Sequence, residues 1–587
     1  MKNVLFRMLV LCLVFAASTA IAAPPPPWVV RSNQLADPVL QDRGQFLPEA
    51  GSQVGRDEFD TQVIDLKPQA YERRLAALSA RRATLVALRA AEADPKVQQD
   101  LDILIASRDR AISQAEISHQ YLFDPVDAAG IVNWGLSTLL DARNKPERQA
   151  RALARMKRYA GLEAGFAPIT LLAKERTEEE LARTGLVGPY VEGLKQQLDR
   201  TDYLLKGLSD LFTKARLTGW ESDFAVLSRQ LKDYDHWLRQ SVLPRTRQEA
   251  RLPPAVYADA LKQMGVDIDP DALIERASFD FAEVRDEMQV LAKQIAAKRH
   301  WPSGDYRDVL AKLKSGQLTP LAVLPRYWQR LREIETIVHR EKLVSVPERK
   351  PVVRIATDAE SAQMSAPFMR APRLIGNTGE YGEFVLPLTN PHAKSKAKMD
   401  DFTYDAVTWT LAAHEARPGH ELQFSAMVER GVSVARAIFA NNSANIEGWG
   451  LYSEAMMLPY MPLEGQLASL QLRMLRMARA FLDPMVNLGR ISPADAKRFL
   501  MEQVMFSEPF AQQEIDRYAF DNPGQATSYY YGYVQLRSIR MLAEIALGKK
   551  FSLMAFNDFV LDQGLLPPTL LKQAVMREFV PKQLANP

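Results

Sequence analysis

The stretch DFTYDAVTWTLAAHEARPGHELQ, Asp401 to Gln423, decides how this chain reads. Phe402, Ala406, Trp409 and Ala413 recur at spacings of four, three and four, which is one face of a helix anchored in a core. That helix delivers His414, one of only 7 histidines, with Glu415 beside it and His420 six positions on. Two histidines four apart on one helical face can hold zinc, with an adjacent glutamate as base. At roughly 100° per residue, a straight helix would carry His420 roughly 240° round from His414, so an unbroken helix cannot aim both at one ion. Pro418 cannot donate to the helical ladder and clashes with the preceding turn, while Gly419 tolerates unusual dihedrals. A kink, bulge or break is therefore expected between Glu415 and His420. By themselves the two histidines read equally well as hydrogen-bonded residues at an ordinary helix end.

Further on, Glu447 opens EGWGLYSE, on a helix for which NNSAN, Asn441 to Asn445, offers the start. Two histidines and a glutamate are a common ligand set for hydrolytic zinc, with the fourth position left to water. Glu447 and Glu454 are seven apart and share a face, so one could ligate while the other accepts the second ring N–H of a histidine. Gly448 and Gly450 each cost about 1 kcal/mol relative to alanine inside a helix, which predicts another backbone close by.

Two further blocks follow in order: EIDRYAFDNPGQATSYYYG, Glu514 to Gly532, and LGKKFSLMAFNDFVLDQGLLP, Leu547 to Pro567. Together with HEARPGHELQ and EGWGLYSE they resemble the family known as domain of unknown function 885, whose members look like zinc metallopeptidases of largely helical fold. The resemblance is close over the C-terminal portion and extends to the N-terminal portion only in helical character. It implies His414, His420 and Glu447 as zinc ligands, Glu415 as general base, and Tyr529 as a hydrogen-bond donor to the tetrahedral intermediate. The chain departs from the family pattern at two places: Glu421 stands where a histidine often follows the PGH step, and Asn557 where the tail often reads FHD. Among Tyr529, Tyr530, Tyr531 and Tyr533, most must be packing residues, because successive helical positions point in different directions. Arg517 and Tyr518 in EIDRY, with Arg537 and Arg540 after the tyrosines, could hold a substrate carboxylate, since arginine suits bidentate recognition. The plainer reading of each arginine is an ion pair with a neighbouring acid.

The remainder of the sequence sets bounds. Lys2 and Arg7, the apolar run MLVLCLVFAA and Ala20-Ile21-Ala22 form a secretory signal over residues 1–22, cut after Ala22, so a periplasmic or secreted protein is expected. The single cysteine, Cys12, lies inside it, leaving no disulfide. The formal charge of +3 falls nearer zero once Lys2 and Arg7 are removed, which argues against nucleic acid or an anionic membrane as partner. No other apolar run is long enough to span a bilayer, so no membrane anchor is expected after cleavage. Oligomeric state is not legible.

Residues 23–59, led by Pro24 to Pro27, read as an extended segment. Residues 60–345 read as an N-terminal helical lobe. Tyr71, Leu75, Leu78 and Leu85 make one stripe, Asp94-Pro95 restarts the chain, and Val97, Leu101 and Leu104 make a second. Residues 346–587 read as the catalytic lobe. In it Leu467, Leu470, Met474, Met477 and Phe481 step by three and four as core. The proline- and glycine-rich stretch from Val346 to Lys398 predicts short strands around a glycine turn, a hairpin or small sheet whose edge could pair with a peptide or be purely structural.

The expectation is thus a mainly α, two-lobed protein around a groove, acting as an exported zinc hydrolase on peptide substrates. A hydrolase of a non-peptide amide or ester, or a catalytically silent peptide-binding protein, would carry the same sequence features.

Overall fold

The computed structural model describes residues 25–357, 360–361, 364, 366–377, 379–388 and 399–585. The expected signal segment, residues 1–22, and most of the HAKSKAKMD run lie outside them. The fold is mainly α-helical, as the periodicity predicts, with one small sheet among the described residues.

Most of the segment expected to be extended is instead a helix, Pro27–Phe46. Pro27 sits at the first helical turn, where its missing N–H costs nothing. Val29, Ser32, Ala36, Val39 and Leu40 are buried at helical spacing, a stripe that the proline run masks. The helix packs on Pro95–Tyr121, where Ser32 donates to Asp100 at 2.6 Å and Arg436 Nε donates to the other Asp100 oxygen at 2.8 Å. The two helices read from the stripes are present as Ala70–Ala91 and Pro95–Tyr121, and Asp94 caps the second by accepting from the N–H groups of Lys96 and Val97.

The described residues form two hydrophobic cores, but these do not divide at residues 345 and 346. The smaller lies wholly within residues 66–242 and includes Leu136, Tyr159, Phe212, Leu227 and Leu238. The larger runs from Ala36 to Val580 and mixes Tyr257, Phe281 and Tyr327 with Phe384, Trp449 and Phe481. The reason is a long helix pair: Pro270–Arg299 lies along Leu463–Asn487, with Phe281 edge-on to Phe481 at 5.5 Å between ring centroids. An apolar stripe specifies that a helix face is buried but not which core receives it.

The sheet holds β1 (Val352–Ile355), β2 (Phe368–Arg370) and β3 (Glu383–Leu386) in the order β1-β3-β2. β3 runs parallel to β1 and antiparallel to β2, so the expected hairpin is β2-β3 with a third strand added. Arg143 donates to the Ala371 carbonyl at 3.2 Å and Arg373 to Asn144 at 2.6 Å, tying the loop after β2 to the smaller core's helices. Among the described residues no helix is long and apolar enough to cross a membrane.

Candidate metal centre

The helix before the histidines starts at Val407, not at Phe402. The preceding residues are engaged elsewhere, because the fully buried Asp401 accepts from Lys314 Nζ at 2.5 Å and from Ser507 N at 3.1 Å. Trp409, Ala413 and Phe402 are nonetheless buried, as the stripe requires. From Ala412 to Ala416 the helix widens into a π turn, Arg417 leaves it in extended conformation, the Arg417–Pro418 peptide is cis, and a new helix runs His420–Arg430. The break falls where the six-residue spacing demands one.

Gly419 takes a φ of −78° with a ψ of −133°, outside the helical and extended regions as expected, and a Cβ there would lie 1.9 Å from the His414 carbonyl oxygen. Glycine is needed for close approach. The indole N–H of Trp449 then donates to the carbonyls of Pro418 and Gly419 at 3.0 and 3.2 Å, and Ser453 donates to Pro418 at 3.3 Å. The turn between the histidines is therefore held by the helix Ser443–Met457, which also carries Glu447. That helix begins as predicted, with Asn442 accepting from the Asn445 N–H.

The two imidazoles meet edge to face, 4.6 Å between centroids. Glu447 Oε2 lies 3.6 Å from His414 Nε2 and 3.4 Å from His420 Nε2, and the three residues present ligand atoms all within 4.8 Å of one another. Donors about 2.0–2.1 Å from a four-coordinate zinc are spaced by roughly 3.3–3.4 Å along the tetrahedron's edges, close to the two distances here. Glu447 Oε2 is enclosed and hydrogen-bonded to nothing. A buried carboxylate oxygen without a donor is costly unless a cation faces it, so the residues fit a metal ion.

Gly450 lets this happen. A Cβ on it would lie 2.6 Å from the His414 ring, so the close neighbour is a side chain and not the backbone that was expected. At Gly448 the neighbour is backbone, Gly532 of the helix Ser528–Leu547.

Behind the cluster, Glu454 Oε1 is 2.7 Å from His414 Nδ1, the position the shared helix face predicts. Glu454 is fully buried and is held by Thr410 Oγ1 at 2.6 Å and Arg476 Nη2 at 3.0 Å. Burial alone would push the His414 imidazolium down, but Glu447 and Glu454 lift it to about 9. Burial raises the Glu447 carboxyl, yet the two histidines hold it far below the usual range. The His414 shift reports the carboxylates gathered round it, negative charge that a metal cation would also neutralise. Burial keeps the Glu415 carboxyl above its ordinary value. It lies 3.9 Å from His414 Nε2, adjacent to the cluster.

Tyr529 lies nearly parallel to the His414 ring at 6.2 Å, half-buried, with Arg479 at 4.5 Å over its face. Tyr530 and Tyr531 turn away, donating to Asp280 at 2.6 Å and to the Asp267 carbonyl at 3.2 Å. Of the residues read as substrate-binding, Tyr518 is fully buried and donates to Glu514 at 2.9 Å, so it reaches no cleft. Arg517 pairs with the same Glu514, which Arg479 grips with two bonds of 2.8 Å. Arg540 pairs with Glu544 at 2.7 Å and donates to Tyr452 at 3.3 Å, the plain ion-pair reading.

The two departures from the family pattern are both structural here. Glu421, with no exposed surface, accepts from Arg417 Nε at 2.6 Å and from Ser425 at 2.7 Å. Asn557, equally buried, accepts from Tyr452 at 3.0 Å and donates to the Leu343 carbonyl at 2.8 Å.

The family described as "Bacterial protein of unknown function (DUF885)" matches residues 48–575. This chain belongs to that family. Solved structures share its fold, two of them as follows. One, from Shewanella oneidensis and described as a lipoprotein of unknown function, has a TM-score of 0.72 at 17% identity, over 94% of this chain and 100% of its own. The other, from Colwellia psychrerythraea and described as a lipoprotein, has a TM-score of 0.76 at 18% identity, over 94% and 99%. No curated protein matches the sequence.

Sequence reasoning overlooked Trp449, Thr410 and the arginine row of the helix Leu463–Asn487. A signal was available for the last: Arg473, Arg476 and Arg479 recur every third residue inside a run otherwise apolar enough to be core, and all three are buried. Charges at core positions call for partners.

Proposed function

We propose that this chain is an exported zinc-dependent hydrolase, acting on peptide bonds. The observation that carries the reading is the convergence of His414, His420 and Glu447 on one small space, with Glu415 adjacent and Glu454 behind His414. Zinc held by those three residues would supply a Lewis acid that acidifies water at the site. Glu415 would take the proton from the attacking water and return it to the leaving amine, a task suited to a carboxylate whose affinity for protons is raised by burial. Tyr529 would donate its phenol O–H to the oxygen on which negative charge develops. Glu454, drawing on Thr410 and Arg476, would keep His414 in orientation with Nε2 toward the cluster. Export is supported by the N-terminal pattern and agrees with the description of both solved relatives as lipoproteins.

The test is digestion of a mixed peptide library by the purified protein, read by mass spectrometry with and without chelator, with zinc measured in the same preparation. About one zinc per chain and chelator-sensitive cleavage are expected. Cleavage unaffected by complete metal removal would refute the zinc mechanism. Bound zinc with no cleavage would favour a silent peptide-binding protein, and cleavage of amides or esters outside peptides would move the substrate class.

A further inference from the structure

The arginine row of Leu463–Asn487 faces the tyrosines of Ser528–Leu547. Arg479 and Arg476 lie over the Tyr529 ring at 4.5 and 5.8 Å, and Arg473 over the Tyr533 ring at 5.7 Å. Two of the three arginines are neutralised, Arg479 by Glu514 and Arg476 by Glu454. Arg473 is not. It is 8% exposed, its Nε and Nη2 are enclosed without an acceptor, and no carboxylate among the described residues lies within ion-pair distance of it. A second guanidinium adds to the imbalance: Arg537, exposed, donates to the Tyr533 hydroxyl at 2.8 Å and stands 5.6 Å over the same ring, also without an acid among the described residues.

A buried guanidinium without a counter-ion is expensive, and a tyrosine face returns only about 0.5–2 kcal/mol by cation–π attraction. Bringing a second cation, the exposed Arg537, to the same tyrosine adds repulsion that an anion would relieve. Their location specifies the anion. Tyr533 follows Tyr529 by one helical turn, a rise of about 6 Å, and Tyr529 is the ring lying alongside His414. Arg473 is likewise one turn along its helix from Arg476, which holds Glu454 behind the cluster. The pair thus stands about one helical turn beyond Tyr529, on the tyrosine side of the candidate metal centre.

We infer that Arg473 and Arg537, brought together by Tyr533, form a subsite for a substrate carboxylate beside the candidate metal centre. This deepens the peptidase reading and rests on it for the word substrate. The carboxylate could be a peptide's C-terminus or an acidic side chain; a guanidinium recognises both by the same charge-assisted hydrogen bonds. In either case the site would select for charge at a fixed distance from the bond that is cut.

The experiment measures binding of matched short peptides to the zinc-loaded full chain by titration calorimetry: free acid against C-terminal amide, and acidic against neutral side chains. One carboxylate should tighten binding on the order of 10- to 100-fold, and the preference should collapse in Arg473→Met and weaken in Arg537→Met. The second variant, at an exposed position, covers the case in which the first fails to fold. Whichever arm shows the preference names the source of the carboxylate. Equal binding of charged and uncharged partners, or a preference that survives both substitutions, overturns the subsite. Turnover of the same peptides is scored separately: a charge preference without cleavage keeps the subsite and sinks the hydrolase, and cleavage without preference does the reverse.

Discussion

Glu454 Oε1 lies 2.7 Å from Nδ1 of His414, while Nε2 of the same ring faces Glu447 at 3.6 Å. One histidine is thereby set between a carboxylate that can orient it and a carboxylate that can share an ion with it. Removing the orienting charge while keeping its size should weaken metal binding without abolishing it. Glu454→Gln is expected to lower zinc affinity on the order of 10- to 100-fold, measured by competition with a chromophoric chelator. Unchanged affinity would mean that Glu454 serves only to neutralise Arg476.

Glu415 is not one of the three converging residues, which separates base from ligand. Glu415→Gln should keep zinc and fold and lose turnover on the order of 10²- to 10⁴-fold on whichever library peptide the parent cleaves. Tyr529→Phe should cost less, because one hydrogen bond to the developing oxyanion is lost and the base remains. Steady-state kinetics with zinc content checked in each preparation decides this. A Glu415→Gln protein that holds zinc and turns over like its parent would show the base to be assigned wrongly.

Glu421 stands in the family's histidine position but faces Arg417, which is 3% exposed. Glu421→Ala should leave zinc content unchanged and destabilise the fold by up to about 3–5 kcal/mol, the cost of stripping a partner from a buried guanidinium. The contact of Arg417 with Glu335 at 2.8 Å should soften that loss. Urea unfolding of parent and variant measures it, and a well-folded variant without zinc would place Glu421 in the metal site after all.

Asp483, fully buried, accepts from the Gly524 N–H, Tyr257 and Asn487, all at 3.0 Å. Burial outweighs these donors and pushes its carboxyl up to about 7, from an ordinary 3.8. The folded state therefore keeps a proton that the unfolded chain has released. The stability linked to that proton is fully present below about pH 4 and is lost as pH rises through about 7, a difference on the order of a few kcal/mol. Asp483→Asn has no such dependence. Urea unfolding at pH 5 and pH 8 should find the parent more favoured over the variant at pH 5. An equal difference at both values would show that Asp483 does not titrate between them.

Much of the candidate site was legible because it rests on local rules. The six-residue spacing of His414 and His420 required a break, and Pro418-Gly419 supplied one. The seven-residue spacing of Glu447 and Glu454 put both on one face. The roles of Arg517, Tyr518 and Arg540 were not legible, because an arginine or tyrosine beside acids has many partners in reach along its own helix. Here Glu514 and Glu544 take them.

The sequence by itself determined the helical class, the helix starts at Asp94-Pro95 and Asn442, and the residues able to hold a metal, since periodicity, capping and helix-breaking act within a few residues of chain. Only the tertiary structure decided that Trp449 clamps the turn between the histidines, that Glu421 belongs to Arg417, and that Arg473 is left without an acid among the described residues. Those outcomes depend on which helices pack together. A charge inside a core is satisfied by whatever side chain the neighbouring helix brings, and that neighbour can be hundreds of residues away: Arg436 finds Asp100 across 336 positions. The stripe that buries a helix carries no record of its partner, so pairing is settled by long-range packing alone.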